Sequence, residues 1–394
     1  MRDAATATYL DEDFASGSAT PIRRLKLNDF RSYSSTDIAF DGRPVAIAGP
    51  NGSGKTNILE AISLFGPGRG LRSARLQELP RVDGHGGWAL SMRLGAGLQE
   101  RSLGVGAHAS KPERRVCRLD DQAASGPGAF TDILRFLWLT PAQDRLFMES
   151  AGERRKFIDR MALAQDSAHG RAASAYEKAM RQRQRLLETP PYDDDWLSAL
   201  EIQMAESGVA VAAARIETVE RLSAAAPSSD DAMFPAADMA LDGDIERALS
   251  DRDAASVEEE FASTLRERRR LDAEAGRSLY GPHRSDLLVF HRQKMQAARL
   301  CSTGEQKALL IGLVLANART LCAETVFARP PLILLLDEIA AHLDPSRRAA
   351  LFDIVGELGF QAFMTGTDDA LFSAWGGRAQ YFETGASGLA EKTL

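Results

Sequence analysis

The 394-residue sequence has little cysteine, no surplus of positive charge and no long apolar run. Each absence closes a class of function. Cys117, Cys301 and Cys322 are too few and too scattered for a disulfide framework or a zinc site, which fits a reducing cytosol. The formal charge of −7 supplies no global field toward nucleic acid or membrane, so any such binding has to come from a local patch. The longest apolar stretches, Ala308 to Ala318 and Pro330 to Leu336, fall well short of the roughly 18 residues of a membrane span. No membrane association is expected. Residues 1–20 are rich in Ala, Thr, Ser and Asp, without the basic start or apolar stretch of a secretory signal, and read as a disordered tail.

What is present is Gly49-Pro50-Asn51-Gly52-Ser53-Gly54-Lys55-Thr56, a G-x-x-x-x-G-K-[ST] loop. An apolar strand, Val45 to Ala48, precedes it, and an amphipathic run, Asn57 to Ile62, follows. The glycines let successive N–H groups turn toward phosphate oxygens, and the helix that follows adds the positive end of its dipole. The expected ligand is an anion, a polyphosphate with Mg²⁺. Lys55 would reach the β and γ phosphates, and the Thr56 hydroxyl would take one position on the metal. A Gly-rich turn without a ligand is the competing reading, disfavoured by the strand and helix that frame the loop.

Short strands around Leu25 to Phe30 and Ile38 to Phe40 lead into the loop, and strands at Trp88 to Leu94, Leu103 to Ala107 and Arg115 to Leu119 suggest a β-rich lobe. Ile133 to Leu139 reads as a further strand, stopped at Thr140-Pro141. Ala151 to about Ala275 is Ala-, Glu-, Arg- and Gln-rich, nearly free of strand signals, and broken at Pro190-Pro191 and at Ala226-Pro227-Ser228-Ser229. Within it, over Trp196 to Leu222, the residues Leu197, Leu200, Met204 and Val211 mark one face of a long helix, and the pattern weakens beyond Val211. Strand signals return at Asp286 to His291. A helix from about Gly304 to Leu321 and the unbroken apolar strand Leu332 to Leu336 follow, then a helix over Leu351 to Leu358 and strands at Ala362 to Met364 and Ala379 to Phe382. The expected architecture is an α/β P-loop head in two parts, 21–150 and 279–394, split by a helical arm over 151–278.

Asp337 and Glu338 leave the C-terminal end of that apolar strand, the edge where open α/β sheets bind ligands. Asp337 is placed to hold Mg²⁺ and Glu338 to orient or deprotonate an attacking water. Taken alone, such a pair also fits a solvated turn. Ser302-Thr303-Gly304-Glu305-Gln306-Lys307 opens a helix, where a serine hydroxyl and a glycine N–H can meet a γ-phosphate. The same residues also fit a Ser N-cap with Glu305 completing a capping box.

Ser302 to Lys307 resembles the signature motif of ABC-type ATPases, and Ala341-His342-Leu343-Asp344 resembles the D-loop that follows their acidic pair. The resemblance implies that Ser302, Gly304 and Asp344 complete the nucleotide site of a second subunit, hence an ATP-dependent homodimer. Leu27 to Tyr33, Lys55 to Ile62, Arg154 to Asp159 and Gly281 to Leu287 together resemble the RecF family. That likeness implies an ABC-type head with a short helical arm and weak DNA-stimulated ATP hydrolysis. It also implies binding to double-stranded and gapped DNA, and work in the cytoplasm with RecO and RecR to place RecA. Many ABC ATPases carry a histidine after the strand that follows the acidic pair, whereas here Phe363 to Thr367 offers only hydroxyls, Thr367 among them. Gln143 lies in the region of the Q-loop. His283 and Arg284 fit either a structural turn or a place near the nucleotide or the dimer interface.

DNA contact would come from Lys178, Arg181 and Arg185, on one helix face, and from Arg266, Arg268, Arg269 and Arg270. Solvated faces paired with Glu177 or Glu188 are the alternative. With no base-reading motif, binding is expected through the phosphate backbone. Two other functions fit less of the chain: the nucleotide-binding subunit of a membrane transporter, and a scaffold that binds ATP without hydrolysing it.

Overall fold

A computed structural model describes residues 21–97, 100–189, 191–226, 233–323, 330–385 and 388–393. The expectations placed on residues 1–20, on Pro190 and on Pro227 to Ser229 lie outside them, as do the side chains of Ala341 and His342. The chain falls into two compact units. One holds the described residues of Met1–Phe136, Cys322–Leu336 and Leu351–Leu394, the other those of Leu137–Leu321 and Asp337–Ala350.

The chain begins with β1 (Ile22–Phe30), β2 (Tyr33–Ala39), β3 (Val45–Ala48) and α1 (Lys55–Ser63), then β4 (Trp88–Leu94), β5 (Arg101–Ala107), β6 (Val116–Leu119), β7 (Gln122–Ala124) and β8 (Arg135–Leu139). Helices α2 (Ala151–Gln165), α3 (Ala168–Leu187) and α4 (Asp194–Ala224) follow, then β9 (Ala237–Asp242), α5 (Asp244–Asp251), α6 (Ala254–Glu267) and α7 (Arg269–Ala275). The rest is β10 (Asp286–His291), β11 (Gln296–Ala297), α8 (Thr303–Ala323), β12 (Leu332–Leu336), α9 (Pro345–Leu358), β13 (Gln361–Gly366), β14 (Gln380–Gly385) and β15 (Gly388–Lys392).

In the first unit β12, β13, β3 and β14 lie side by side and parallel, and β15 closes the edge antiparallel to β14. The Arg135 N–H at the start of β8 donates to Pro331 O at 2.8 Å. Every residue of β3 and β12 is buried, as suits strands covered on both faces. Ile58, Leu59, Ala61 and Ile62 of α1 are buried, and α1 packs against β13. The antiparallel sheet β2-β1-β4-β5-β6-β7 forms the β-rich lobe. Along β4 the residues Trp88, Leu90, Met92 and Leu94 alternate inward.

In the second unit α4 packs along α3 and α6. Leu197, Leu200, Met204 and Val211 are all buried, as their spacing predicts. The fading pattern beyond Val211 has a physical reason: the same face continues through Arg215, Thr218 and Leu222, all buried, two of them polar. The stretch expected to be nearly free of strands contains β9, paired antiparallel with β10 from Ala237↔His291 to Asp242↔Asp286. Its sequence, ADMALD, has no β-branched or aromatic residue to announce a strand, and the pairing with β10 supplies what the sequence does not. Among the described residues no helix is long and apolar enough to cross a membrane.

Candidate functional site

The loop at Gly49 to Thr56 leaves the C-terminal end of β3 and enters α1 directly. Gly52 (φ 80°) and Gly54 (φ 98°) take left-handed backbone that side chains resist, with Gly54 as the N-cap of α1. Pro50, Asn51 and Gly52 are exposed, and a Cβ at Gly52 would meet nothing within 4 Å. Lys55 is buried, and its Nζ donates to Gly49 O and Pro50 O, both at 2.8 Å. An open glycine turn on a helix N-terminus, with one ammonium folded against it, fits a polyphosphate.

The loop is braced by residues of the Leu27 to Tyr33 and Lys55 to Ile62 motifs, together with Arg72 and Thr384. The Tyr33 hydroxyl donates to Gly54 O at 3.3 Å, and burial pushes that phenol up to about 12, so it stays a donor. Asn57 Nδ2 donates to Ser32 Oγ at 2.9 Å. Glu60, inside α1, is fully buried and takes a two-pronged guanidinium contact from Arg31 at 2.6 and 2.9 Å, with Arg72 at 3.5 Å. On the other side Thr384 Oγ1 lies 2.5 Å from Ser53 Oγ. The motif residues Arg31, Ser32 and Tyr33 thus hold the loop and its helix.

Strand register brings a second element to this edge of the sheet. Leu336 of β12 pairs with Met364 of β13, and Met364 pairs with Ala46 of β3, so the parallel strands end together. Asp337 follows Leu336 in the chain. It is buried, and its N–H donates to Leu139 O at 2.9 Å. Glu338 has φ 53°, a left-handed backbone rare for a non-glycine residue, costing on the order of 1 kcal/mol or more. Among the described residues no three His, Cys, Asp or Glu side chains cluster as a metal cage. A Mg²⁺ ion at the loop would therefore depend on phosphate oxygens together with the Thr56 hydroxyl, hard oxygen donors of the kind this ion takes.

Ser302, Thr303 and Gly304 are exposed at the start of α8, and a Cβ at Gly304 would meet nothing within 4 Å. The capping box is formed: Ser302 N–H donates to Glu305 Oε2 at 3.0 Å, and Glu305 N–H donates to Ser302 Oγ at 3.4 Å. Lys294, then the Ser302 N–H, hold the Glu305 carboxyl down at about 2. Asp344 caps α9, accepting from Arg347 N–H at 2.9 Å. Gln143 folds back on its own turn, its Oε1 accepting from Thr140 N–H at 3.1 Å. Thr367 is exposed just beyond β13.

The two family-like motifs far apart in sequence meet in the second unit. Arg154 grips Asp286 at 2.7 and 2.6 Å, and Arg155 donates to Ser285 O at 2.5 Å. Arg215 joins them, with Asp159 at 2.7 and 2.9 Å, Pro282 O at 2.7 Å and Ser285 Oγ at 2.9 Å. Both ring nitrogens of His283 are engaged, Nδ1 with the Tyr176 hydroxyl at 2.6 Å and Nε2 with Ser278 O at 2.9 Å, and burial pushes its pKa down. That is the structural turn. Arg284 is exposed.

The basic clusters part company. On α3, Lys178, Arg181 and Arg185 are exposed, with Arg181 3.5 Å from Glu177. In the second cluster Arg269 is spent inside the unit, on Glu201 at 2.9 and 2.7 Å and Asp194 at 2.8 Å. Arg268 lies over the Tyr280 ring at 5.1 Å, Arg270 is 3.7 Å from Glu274, and Arg266 is exposed.

The model of the RecF/RecN/SMC N-terminal domain family matches residues 21–380. A protein of Mesorhizobium japonicum named DNA replication and repair protein RecF is 52% identical over 365 residues, 92% of this chain and 95% of that one. One of Rhizobium etli with the same name is 48% identical over 365 residues, 92% and 96% of the two chains. Among solved structures, the recombination mediator protein RecF with ATP, of the RecFOR pathway, superposes with a TM-score of 0.78 at 21% identity, over 95% of this chain and 99% of that one. An Smc head domain of Pyrococcus furiosus with an extended coiled coil, bound to the C-terminal domain of ScpA, gives a TM-score of 0.52 at 17% identity, over 95% and 96%. At these identities the structural likeness is one of fold.

Proposed function

The chain belongs to the RecF family of DNA replication and repair proteins, with an ABC-type ATPase head, and from that premise we propose that it is an ATP-switched clamp on DNA. The observation that carries this is the shared sheet edge: β3 leads into the P-loop, and β12, parallel to it with β13 between them, leads into Asp337 and Glu338. Loop amides with Lys55 bind the phosphates. Thr56 and Asp337 hold Mg²⁺, which when bound neutralises charge on them. Glu338 takes a proton from the attacking water. Ser302, Gly304 and Asp344 of a second copy close over the same nucleotide, and the exposed N-terminus of α8 supports this.

In this reading ATP joins two copies around double-stranded DNA beside a gap, and slow, DNA-stimulated hydrolysis releases them. RecO and RecR are the partners through which it would promote RecA loading in the cytoplasm; relatives named for the RecFOR pathway support that assignment. Phosphate contacts fall to Lys178, Arg181 and Arg185. The transporter-subunit reading is not favoured, since the curated relatives are replication and repair proteins. ATP turnover measured with and without gapped duplex, for the wild type and Lys55→Met, tests the proposal. DNA-stimulated turnover that the variant loses supports it, and turnover indifferent to DNA contradicts it.

A further inference from the structure

Thr384 lies next to last in β14 and is 2% exposed, a hydroxyl placed inside the sheet edge 331 residues downstream of Ser53. It touches the P-loop at Ser53 and the strand end that feeds the loop at Ala48. Its Oγ1 lies 2.5 Å from Ser53 Oγ and donates to Ala48 O at 3.3 Å. A hydroxyl has one proton, so with Thr384 donating to Ala48 O, Ser53 is the donor of the shorter bond. The result is a one-way relay from Ser53 through Thr384 to Ala48 O, which ties the fifth residue of the loop to the last residue of β3. Gly49 completes the fit: at φ 151° a Cβ there would lie 2.9 Å from Thr384 O and against its hydroxyl.

We infer that Thr384 is a positioning residue for nucleotide binding, its hydroxyl setting the curvature of the P-loop and so the aim of the loop amides. Nothing local marks the role; it arises because β14 lies beside β3, with Glu383 opposite Ala48. Lys55 grips the loop through Gly49 O and Pro50 O, and Thr384 grips it through Ser53 and Ala48. Without the relay the loop keeps its sequence and its lysine but loses the fixed closure that presents successive N–H groups to one anion. Preorganisation of that kind shows up as affinity.

The inference rests on the reading that this loop binds ATP, and the test separates the two. Equilibrium binding of a fluorescent ATP analogue with Mg²⁺, displaced by ATP, is measured for the full chain and for Thr384→Val, Thr384→Ser, Ser53→Ala and the Thr384→Val/Ser53→Ala pair, with melting recorded for each. Thr384→Val, close in shape but without the hydroxyl, is expected to raise the Kd for ATP about tenfold, while the melting midpoint moves by no more than about 4 °C. Thr384→Ser restores the affinity to within about twofold, and the pair is no weaker than Thr384→Val alone, because both changes break one relay. Unchanged affinity in Thr384→Val, no rescue by serine, or losses that add in the pair would overturn the role. Should Thr384→Val fail to fold, Ser53→Ala against Thr384→Ser reads the same relay from its other end. A wild type that does not bind ATP would overturn the nucleotide reading first and this role with it.

Discussion

Arg215→Met keeps an unbranched apolar stem at a position that is 4% exposed but removes the guanidinium, with its charge and its donors. The guanidinium holds Asp159, Pro282 O and Ser285 Oγ together, so the change strikes the junction of the two family-like motifs. Burial works to raise the Asp159 carboxyl, but bonds from His169 and Arg215 outweigh it and leave the pKa lowered from 3.8 to about 2. A depression of that size is worth about 2 kcal/mol. The folded-state value lies below the unfolded one, so this stability is present above pH 4 and drains away as the pH falls toward 2. His169 Nε2, 3.1 Å from Asp159 Oδ1, survives the substitution and keeps part of the effect, whereas Pro282 O loses its Arg215 donor. Breaking a buried pair costs about 3–5 kcal/mol, and the retained histidine sets the expectation near 3. Hydrogen exchange of the α2, α4 and 281–287 amides at neutral pH reads the loss as a lowered opening free energy. Urea denaturation between pH 5 and 2 reads the acid slope, which is expected to be shallower in the variant. An opening energy lowered by less than about 1 kcal/mol, or an unchanged acid slope, would mean that Arg215 does not hold this junction together.

Gly49→Ala forces a Cβ against Thr384 in a backbone region that favours glycine, and ATP affinity is expected to fall at least about tenfold in titration. Gly281→Ala, at φ 132° with its Cβ 2.9 Å from Phe261 Cζ and against the Tyr176 hydroxyl, should cost about 2–4 kcal/mol, read from denaturation. Lys178→Ala and Arg185→Ala should each flatten the slope of log affinity for duplex DNA against log salt by about 1, with stability changed by under about 0.5 kcal/mol. Arg269→Ala should do the reverse: a loss of about 2–4 kcal/mol and an unchanged salt slope, because its charge is committed to Glu201 and Asp194.

What the sequence disclosed follows from where its signals are local. The P-loop and the apolar strands β3 and β12 are read directly, since a covered parallel strand has to be apolar throughout. The long helix α4 is legible over Trp196 to Leu222 through Leu197, Leu200 and Met204, but the buried face of its second half is hidden because Arg215 and Thr218 hold positions that an apolar pattern does not register. β9 is hidden because ADMALD becomes a strand through its partner β10, and β7 and β15 because edge strands of three and five residues need no apolar face. The charge cluster at Arg266 to Arg270 looks like one surface patch in sequence, yet Arg269 faces inward onto Glu201, whose own burial no local pattern shows. Thr384 lies beyond sequence reading for the same reason: its partners are 331 and 336 residues away.

In the proposed cycle ATP closes two copies on DNA and hydrolysis through Glu338 opens them. Its most direct measurement is light scattering of Glu338→Gln with ATP and gapped duplex, followed over time beside the wild type. The variant is expected to bind ATP, assemble a dimer and stay on DNA while the wild type turns over and dissociates. A Glu338→Gln protein that remains a monomer with ATP and DNA present, or that releases DNA as fast as the wild type, would contradict it.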